Sequence, residues 1–294
     1  PMALLDPTHP EAAHWLSEVF RRLRAEGFDL FKVDFTQEIL KARRFQDMTL
    51  GRAGLLRRAF TIIREAIGED AYLLACGAPF ESVTGLVDSV RVTGDIHNLW
   101  GHVPANFSAM SARWWMSGTL WNVDADFLLA RCEDTTEDRQ FNRERVVRPH
   151  DPVNYWMAGR DLNLEEIRTL GLMIYLSGGD IVLGDALPKL NEKGFRLLRR
   201  ILDAPPVRTM GRPLDLFARH EQLPSQMLAR EDWGAALGLF NWSEDPAEVI
   251  FDPLRQGLPK TGTVEDFWTG ERIPYDGEIR RALAPRSAAG LLFT

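Results

Sequence analysis

At 294 residues, 45% apolar and 26% charged, the chain is composed like a globular protein with one or two cores. A formal net charge of −7 excludes the basic footprint that binding to nucleic acid or to an anionic membrane surface requires. Two cysteines, Cys76 and Cys132, are too few for a disulfide framework or a structural zinc site and leave at most one bridge. No apolar run approaches the ~18 residues of a membrane span. The N-terminus carries no signal-peptide core, so a cytoplasmic location is the expectation. The pairs Arg21-Arg22, Arg57-Arg58 and Arg199-Arg200 sit in amphipathic patterns and read as solvated helix faces.

Thr8-His9-Pro10-Glu11 opens a first helix, with Thr8 as N-cap and Glu11 closing a capping box. Trp15, Val19, Phe20 and Leu23 then share a face, and Gly27 suits the stop. Residues 28–35 (FDLFKVDF) predict a short buried strand. A second helix over about 49–67 follows from Leu56, Phe60, Ile63 and Ile67, ending at Gly68. Further strands are predicted at 71–75, ending in Cys76-Gly77-Ala78-Pro79, and at 89–93, ending in Gly94-Asp95. Helical pattern returns at 105–117, then a strand at 120–126 and a long polar loop through Arg148-Pro149-His150-Asp151. Asn163 and Glu166 cap another helix, and Leu176-Ser177-Gly178-Gly179-Asp180 leads into a strand at 181–183 and a helix to about Leu202. Strands alternating with helices predict a parallel sheet.

From Pro205 the pattern changes to short strands at 235–241, 248–251, 263–268 and 289–294, with turns at Asp252-Pro253, Thr269-Gly270 and Asp276-Gly277. That spacing predicts a small antiparallel β-sandwich. The expected organisation is therefore an α/β catalytic portion over 1–204 and a β-sandwich domain over 205–294. Only about five strand patterns precede Pro205, whereas a closed eight-stranded barrel needs roughly 250 residues. The sheet is either open or the later part of a barrel.

Functional groups of β/α barrels project from the C-terminal strand ends. Those ends carry Lys32 and Asp34, Cys76, Arg91 and Asp95, Asp124 and Asp126, and Asp185. Lys32 and Asp34, two apart on a strand, face the same side. An ammonium beside a carboxylate keeps it ionised, as a nucleophile requires, although a simple ion pair would read the same way. Asp95, behind a permissive Gly94, supplies the second carboxylate that glycoside hydrolysis uses. Trp100, Trp114, Trp115 and Trp121 offer faces for sugar stacking, or core packing.

Five strand-end motifs occur in order: Phe31-Lys32-Val33-Asp34-Phe35, Cys76-Gly77-Ala78-Pro79, Arg91-Val92-Thr93-Gly94-Asp95, Asn122-Val123-Asp124-Ala125-Asp126 and Leu176-Ser177-Gly178-Gly179-Asp180. They resemble glycoside hydrolase clan D, the α-galactosidase group, and specifically its bacterial family 36 branch. Gly238-Leu239-Phe240-Asn241-Trp242 and Asp266-Phe267-Trp268-Thr269-Gly270 resemble that group's C-terminal sandwich. The resemblance implies a partial (β/α)8 TIM barrel, strands 4 to 8, followed by the sandwich. It implies a retaining double displacement on terminal α-galactosides with no cofactor and no metal. Asp34 maps to the nucleophile and Asp95 to the acid/base, with carboxyl groups about 5–5.5 Å apart in a retaining site. Lys32, Cys76, Gly77 and Arg91 map to positions around the bound sugar. Asp124-Ala125-Asp126 stands where the group has Asp-Pro-Asp and reads as architectural support. An oligosaccharide is the implied substrate, and the partial barrel implies pairing with a second copy or with the N-terminal half of a barrel. The rivals are a magnesium-dependent enolase-type barrel, using Asp34, Asp95 and Asp126, and a non-catalytic sugar-binding relative.

Overall fold

The structure, a computed structural model, describes residues 4–137, 159–218 and 223–294. The predicted loop through Arg148 to Asp151 lies outside the described residues. The chain forms two compact units, Pro1–Arg91 with Thr119–Asp124, and Val92–Gly118 with Ala125–Thr294.

The first unit runs through α1 (Pro10–Ala25), β1 (Leu30–Val33), α2 (Arg52–Ile67), β2 (Tyr72–Ala75), α3 (Phe80–Val83) and β3 (Ser89–Arg91), and takes in the start of β4 (Asn122–Leu128). These strands pair in parallel and in chain order: Leu30 opposite Tyr72, Leu74 opposite Ser89, and Ser89 opposite Asn122. The face of α2 predicted from its spacing is buried, Leu56, Phe60, Ile63 and Ile67 together with Leu55. Each such side chain contributes about 1.5–3 kcal/mol on leaving water. Arg64 is also buried on this helix. Its guanidinium donates to the carbonyls of Leu86 (2.9 Å), Gly68 (3.0 Å) and Ala71 (2.7 Å) and to Asp88 (2.5 Å), closing off the backbone that leads into β2 and β3.

Three expectations are corrected in this unit. The N-cap of α1 is His9 and makes no side-chain cap, because Thr8 Oγ1 is spent on Asp6 at 2.6 Å. Leu16, not Trp15, is the buried residue of α1, and Trp15 is 58% exposed. The strand over 28–35 is not buried: Phe28, Leu30 and Phe35 are exposed and Phe31 alone of its aromatics is covered. The reason is position, since β1 lies at the end of the strand order and has a neighbour on one side only.

The second unit holds α4 (His102–Ser111), the end of β4, α5 (Leu164–Ser177), β5 (Asp180–Leu183) and α6 (Glu192–Leu202). Strand β5 follows β4 in the strand order, completing a five-stranded sheet. Helix α5 starts with the predicted reciprocal box of Asn163 and Glu166 and ends at Gly178. Gly178 has φ 62°, and a Cβ there would stand 2.5 Å from the Thr209 carbonyl carbon, so glycine alone fits.

The antiparallel part comprises β6 (Arg212–Pro213), β7 (Gln226–Glu231), β8 (Gly234–Asn241), β9 (Ala247–Phe251), β10 (Thr261–Asp266), β11 (Arg272–Asp276), β12 (Ile279–Leu283) and β13 (Ser287–Phe293). One sheet has the order β11-β10-β13-β8-β7-β6 and a second is the pair β12-β9. Leu237, Leu239, Val264 and Leu291 of the first pack with Phe251 and Ile279 of the second in one core. Strands β7, β11 and β12 escape the sequence reading because they carry the polar residues of solvated faces, as in Gln226, Arg230, Arg272, Arg280 and Arg281.

Candidate active site

In the first unit the ends of β1, β2 and β3 and the start of β4 carry the predicted residues Lys32, Cys76, Arg91 and Asp124. In a flat sheet β1 and β4 would lie about 14 Å apart, three interstrand steps of ~4.8 Å. Yet Lys32 Nζ of β1 reaches Asp124 Oδ2 of β4 at 3.3 Å. Strands β1 to β4 are therefore curled, which brings Lys32 and Asp124 together. Asp124 is fully buried and stands directly opposite Arg91 in the β3–β4 register. A buried carboxylate is costly without partners, and Lys32 supplies one. The resemblance implies architectural support for Asp124. Its pairing with Lys32 makes it the floor of the cluster.

Asp34 follows β1 directly and is exposed. Its Oδ1 accepts the Phe35 N–H at 2.6 Å. Phe35 sits at φ 54°, an unusual conformation for an aromatic residue, which marks the loop as strained beside Asp34. The loop is tied to the next strand: Cys76 N–H donates to Val33 O at 2.9 Å and Thr36 Oγ1 donates to Cys76 O at 2.9 Å. Gly77, at φ 70°, leaves room for the Gln37 side chain, with which any Cβ would collide. Gly77 thus carries a backbone requirement beyond the sugar-side place that the resemblance implied. Thr36 and Gln37 gave no signal in the sequence.

Burial alone would raise the Asp34 carboxyl. The Cys76 thiol and Phe35 N–H as hydrogen-bond donors, with the charges of Lys32 and Arg91, outweigh it and hold Asp34 below its ordinary value. The same contact works in reverse on Cys76, whose thiol is pushed up to about 12 by burial and by Asp34. Cys76 and Cys132 are both free and buried. Neither should react with iodoacetamide at neutral pH in the native protein. Mass spectrometry should show both alkylated only after denaturation, and native alkylation of Cys76 would contradict this environment.

In the second unit, Asp95 is exposed on the segment after β3. Asp126, at φ 72°, accepts the Ile96 N–H at 2.6 Å. Asp185 is an architectural residue, pairing with Arg131 at 2.7 Å and accepting the Ala130 N–H at 2.5 Å. Of the tryptophans, Trp121 is buried against Phe80, Trp100 packs near Trp242, and Trp115 is exposed. Among the described residues no group of three His, Cys, Asp or Glu side chains is arranged to hold a metal ion. No described helix is long and apolar enough to cross a membrane.

No family model matches the chain. Solved structures do. A GH27 β-L-arabinopyranosidase from Geobacillus stearothermophilus matches with a TM-score of 0.70 at 17% identity, over 96% of this chain and 61% of its own. The α-galactosidase I of Mortierella vinacea matches with a TM-score of 0.66 at 12% identity, over 96% of this chain and 71% of its own. An isomalto-dextranase of Arthrobacter globiformis, complexed with panose, matches with a TM-score of 0.66 at 18% identity, over 98% and 49%. The chain spans about three fifths of the length of the arabinopyranosidase. At these identities the likeness establishes the fold: a parallel β/α sheet of barrel type with an antiparallel β domain, shared with glycoside hydrolases of the α-galactosidase group. The arabinopyranosidase is a family 27 enzyme, so this likeness does not support the family 36 branch.

Proposed function

We propose that the chain forms part of a retaining glycoside hydrolase that removes terminal α-galactosyl groups from oligosaccharides. The observation that carries this is the carboxylate of Asp34, held ionised at a strand end by Lys32, Arg91 and the Cys76 thiol. The fold's occurrence in an α-galactosidase and an arabinopyranosidase supports it. In this reading β1 to β5 are strands 4 to 8 of a barrel within residues 1–204, and residues 205–294 are the sandwich domain.

Asp34 attacks the anomeric carbon while Asp95 gives its proton to the departing glycosidic oxygen. Asp95 then takes a proton from water, whose oxygen attacks the same carbon and frees the Asp34 carboxylate. Lys32 and Arg91 keep the nucleophile charged and, with Cys76 and Gly77, border the sugar. Asp124 holds Lys32 in place. Within the group we place the chain nearer family 27 than family 36.

An activated fluoro-α-galactosyl fluoride should trap the covalent intermediate, because the ring fluorine slows both steps while the fluoride leaving group keeps formation fast. Peptide mapping should find the label on Asp34. A label on another residue would move the nucleophile, and turnover with inversion of configuration would overturn the double displacement.

A further inference from the structure

Asp95 is exposed, but the backbone that carries it is fixed from three directions within its own unit. Asn106 of α4, itself buried, donates from Nδ2 to the Gly94 carbonyl at 2.9 Å. On the other flank, the Ile96 N–H donates to Asp126 Oδ2 at 2.6 Å, with both residues buried. One residue further, the His97 N–H donates to His102 Nδ1 at 3.2 Å. The residues before and after Asp95 are thus each clamped by a buried polar side chain.

Asp126 is an unusual anchor. It is 1% exposed and sits inside β4 at φ 72°, where aspartate and asparagine are the best tolerated of the non-glycine residues. Burying a carboxylate in a strained backbone is costly twice over. The short hydrogen bond from the Ile96 N–H offsets part of that cost. It fixes the backbone immediately after Asp95.

We propose that Asp126 and Asn106 are positioning residues for Asp95, fixing the backbone from which it delivers its proton; this rests on the reading of Asp95 as acid/base. An acid on a loose loop reaches the leaving oxygen only part of the time, and a displacement of about 1 Å can cost on the order of a hundredfold. The loss falls on proton donation, not on attack by Asp34. It should therefore grow with the basicity of the leaving group.

The test compares phenyl and 2,4-dinitrophenyl α-galactosides in the full-length protein. Asp126→Gly removes the carboxylate and is relaxed at φ 72°, while Asp126→Asn keeps an acceptor for Ile96. In Asp126→Gly, kcat/KM for the phenyl substrate should fall roughly ten- to a hundredfold and for the dinitrophenyl substrate less than about threefold. Asp126→Asn should stay within about threefold on both, because the acceptor is retained. Amide exchange at Ile96 should quicken in Asp126→Gly and not in Asp126→Asn. Equal losses on the two substrates, or an Asn variant as impaired as the Gly variant, would overturn the clamp. If Asp126→Gly fails to fold, Asn106→Ala carries the same test, and the absence of a leaving-group split there overturns it.

Asp95→Ala separates the two ideas. A split in Asp95→Ala without one in the clamp variants sinks the clamp alone, whereas no split in Asp95→Ala sinks the acid/base reading. A wild-type protein that turns over neither substrate removes the reading and the catalytic role together, and amide exchange at Ile96 then decides whether the clamp exists.

Discussion

Asp34→Asn is expected to lower kcat by on the order of 10⁴-fold or more, the scale on which covalent mechanisms fail when their nucleophile is lost. Stability should barely change. Asp34 is exposed, and Lys32 keeps its contact with Asp124 when Asp34 is neutralised. Asp34→Ala opens space at the same point, so added azide should restore turnover and give a glycosyl azide of inverted configuration, because the anion attacks from the face the carboxylate has vacated. The wild-type acid limb follows from the same surroundings. The nucleophile works deprotonated and Asp34 is held below its ordinary value, so its protonation should reduce kcat/KM only below about pH 3.9. An Asp34→Asn protein that keeps a tenth of wild-type activity would remove Asp34 from the chemistry.

Much of this arrangement was legible in the sequence, and the parts that were not have physical reasons. The alternation of short apolar runs with periodic helices located β1 to β5, α2 and α5, because packing on one face imposes the period. The capping box of Asn163 and Glu166 was readable because both halves of the contact lie within one turn. Strand alternation placed Lys32 and Asp34 together but could not say what faces Lys32. That partner, Asp124, is brought in by the curl of the sheet from 92 residues away. The exposure of Phe28, Leu30 and Phe35 was missed because a strand at the end of a sheet has the same composition as a central one. Asn106 and Asp126 gave no sign of a shared role, since nothing in their spacing reports that both meet the segment around Asp95.

Glu166→Ala is expected to destabilise the second unit by about 3 kcal/mol, through the loss of one partner from a buried charge network. Glu166 has no exposed surface. Its carboxylate receives Arg160 through two bonds of 2.8 and 2.7 Å, Arg286 at 3.0 Å and the Asn163 N–H at 2.9 Å. These join residues just before α5, the helix's first turn and the start of β13, so the change loosens three segments at once. The figure sits at the low end of the ~3–5 kcal/mol range for such losses, because Arg160 is 51% exposed and its charge can turn to water. Burial alone would raise the Glu166 carboxyl, but the bonds from Arg160, Asn163 and Arg286 outweigh it and hold it below its ordinary value. A folded value below the unfolded one means that the stabilisation is complete above the unfolded value of about 4.3 and is lost as pH falls toward the folded value. Glu166→Gln keeps the shape and an acceptor while removing the charge, so it isolates this contribution. The gap in urea midpoint between wild type and Glu166→Gln should be widest at pH 7 and close progressively below about pH 4. A gap that stays constant from pH 7 to pH 3 would mean that the arginines bind the protonated acid as well as the carboxylate, and the network would then owe its strength to hydrogen bonding alone.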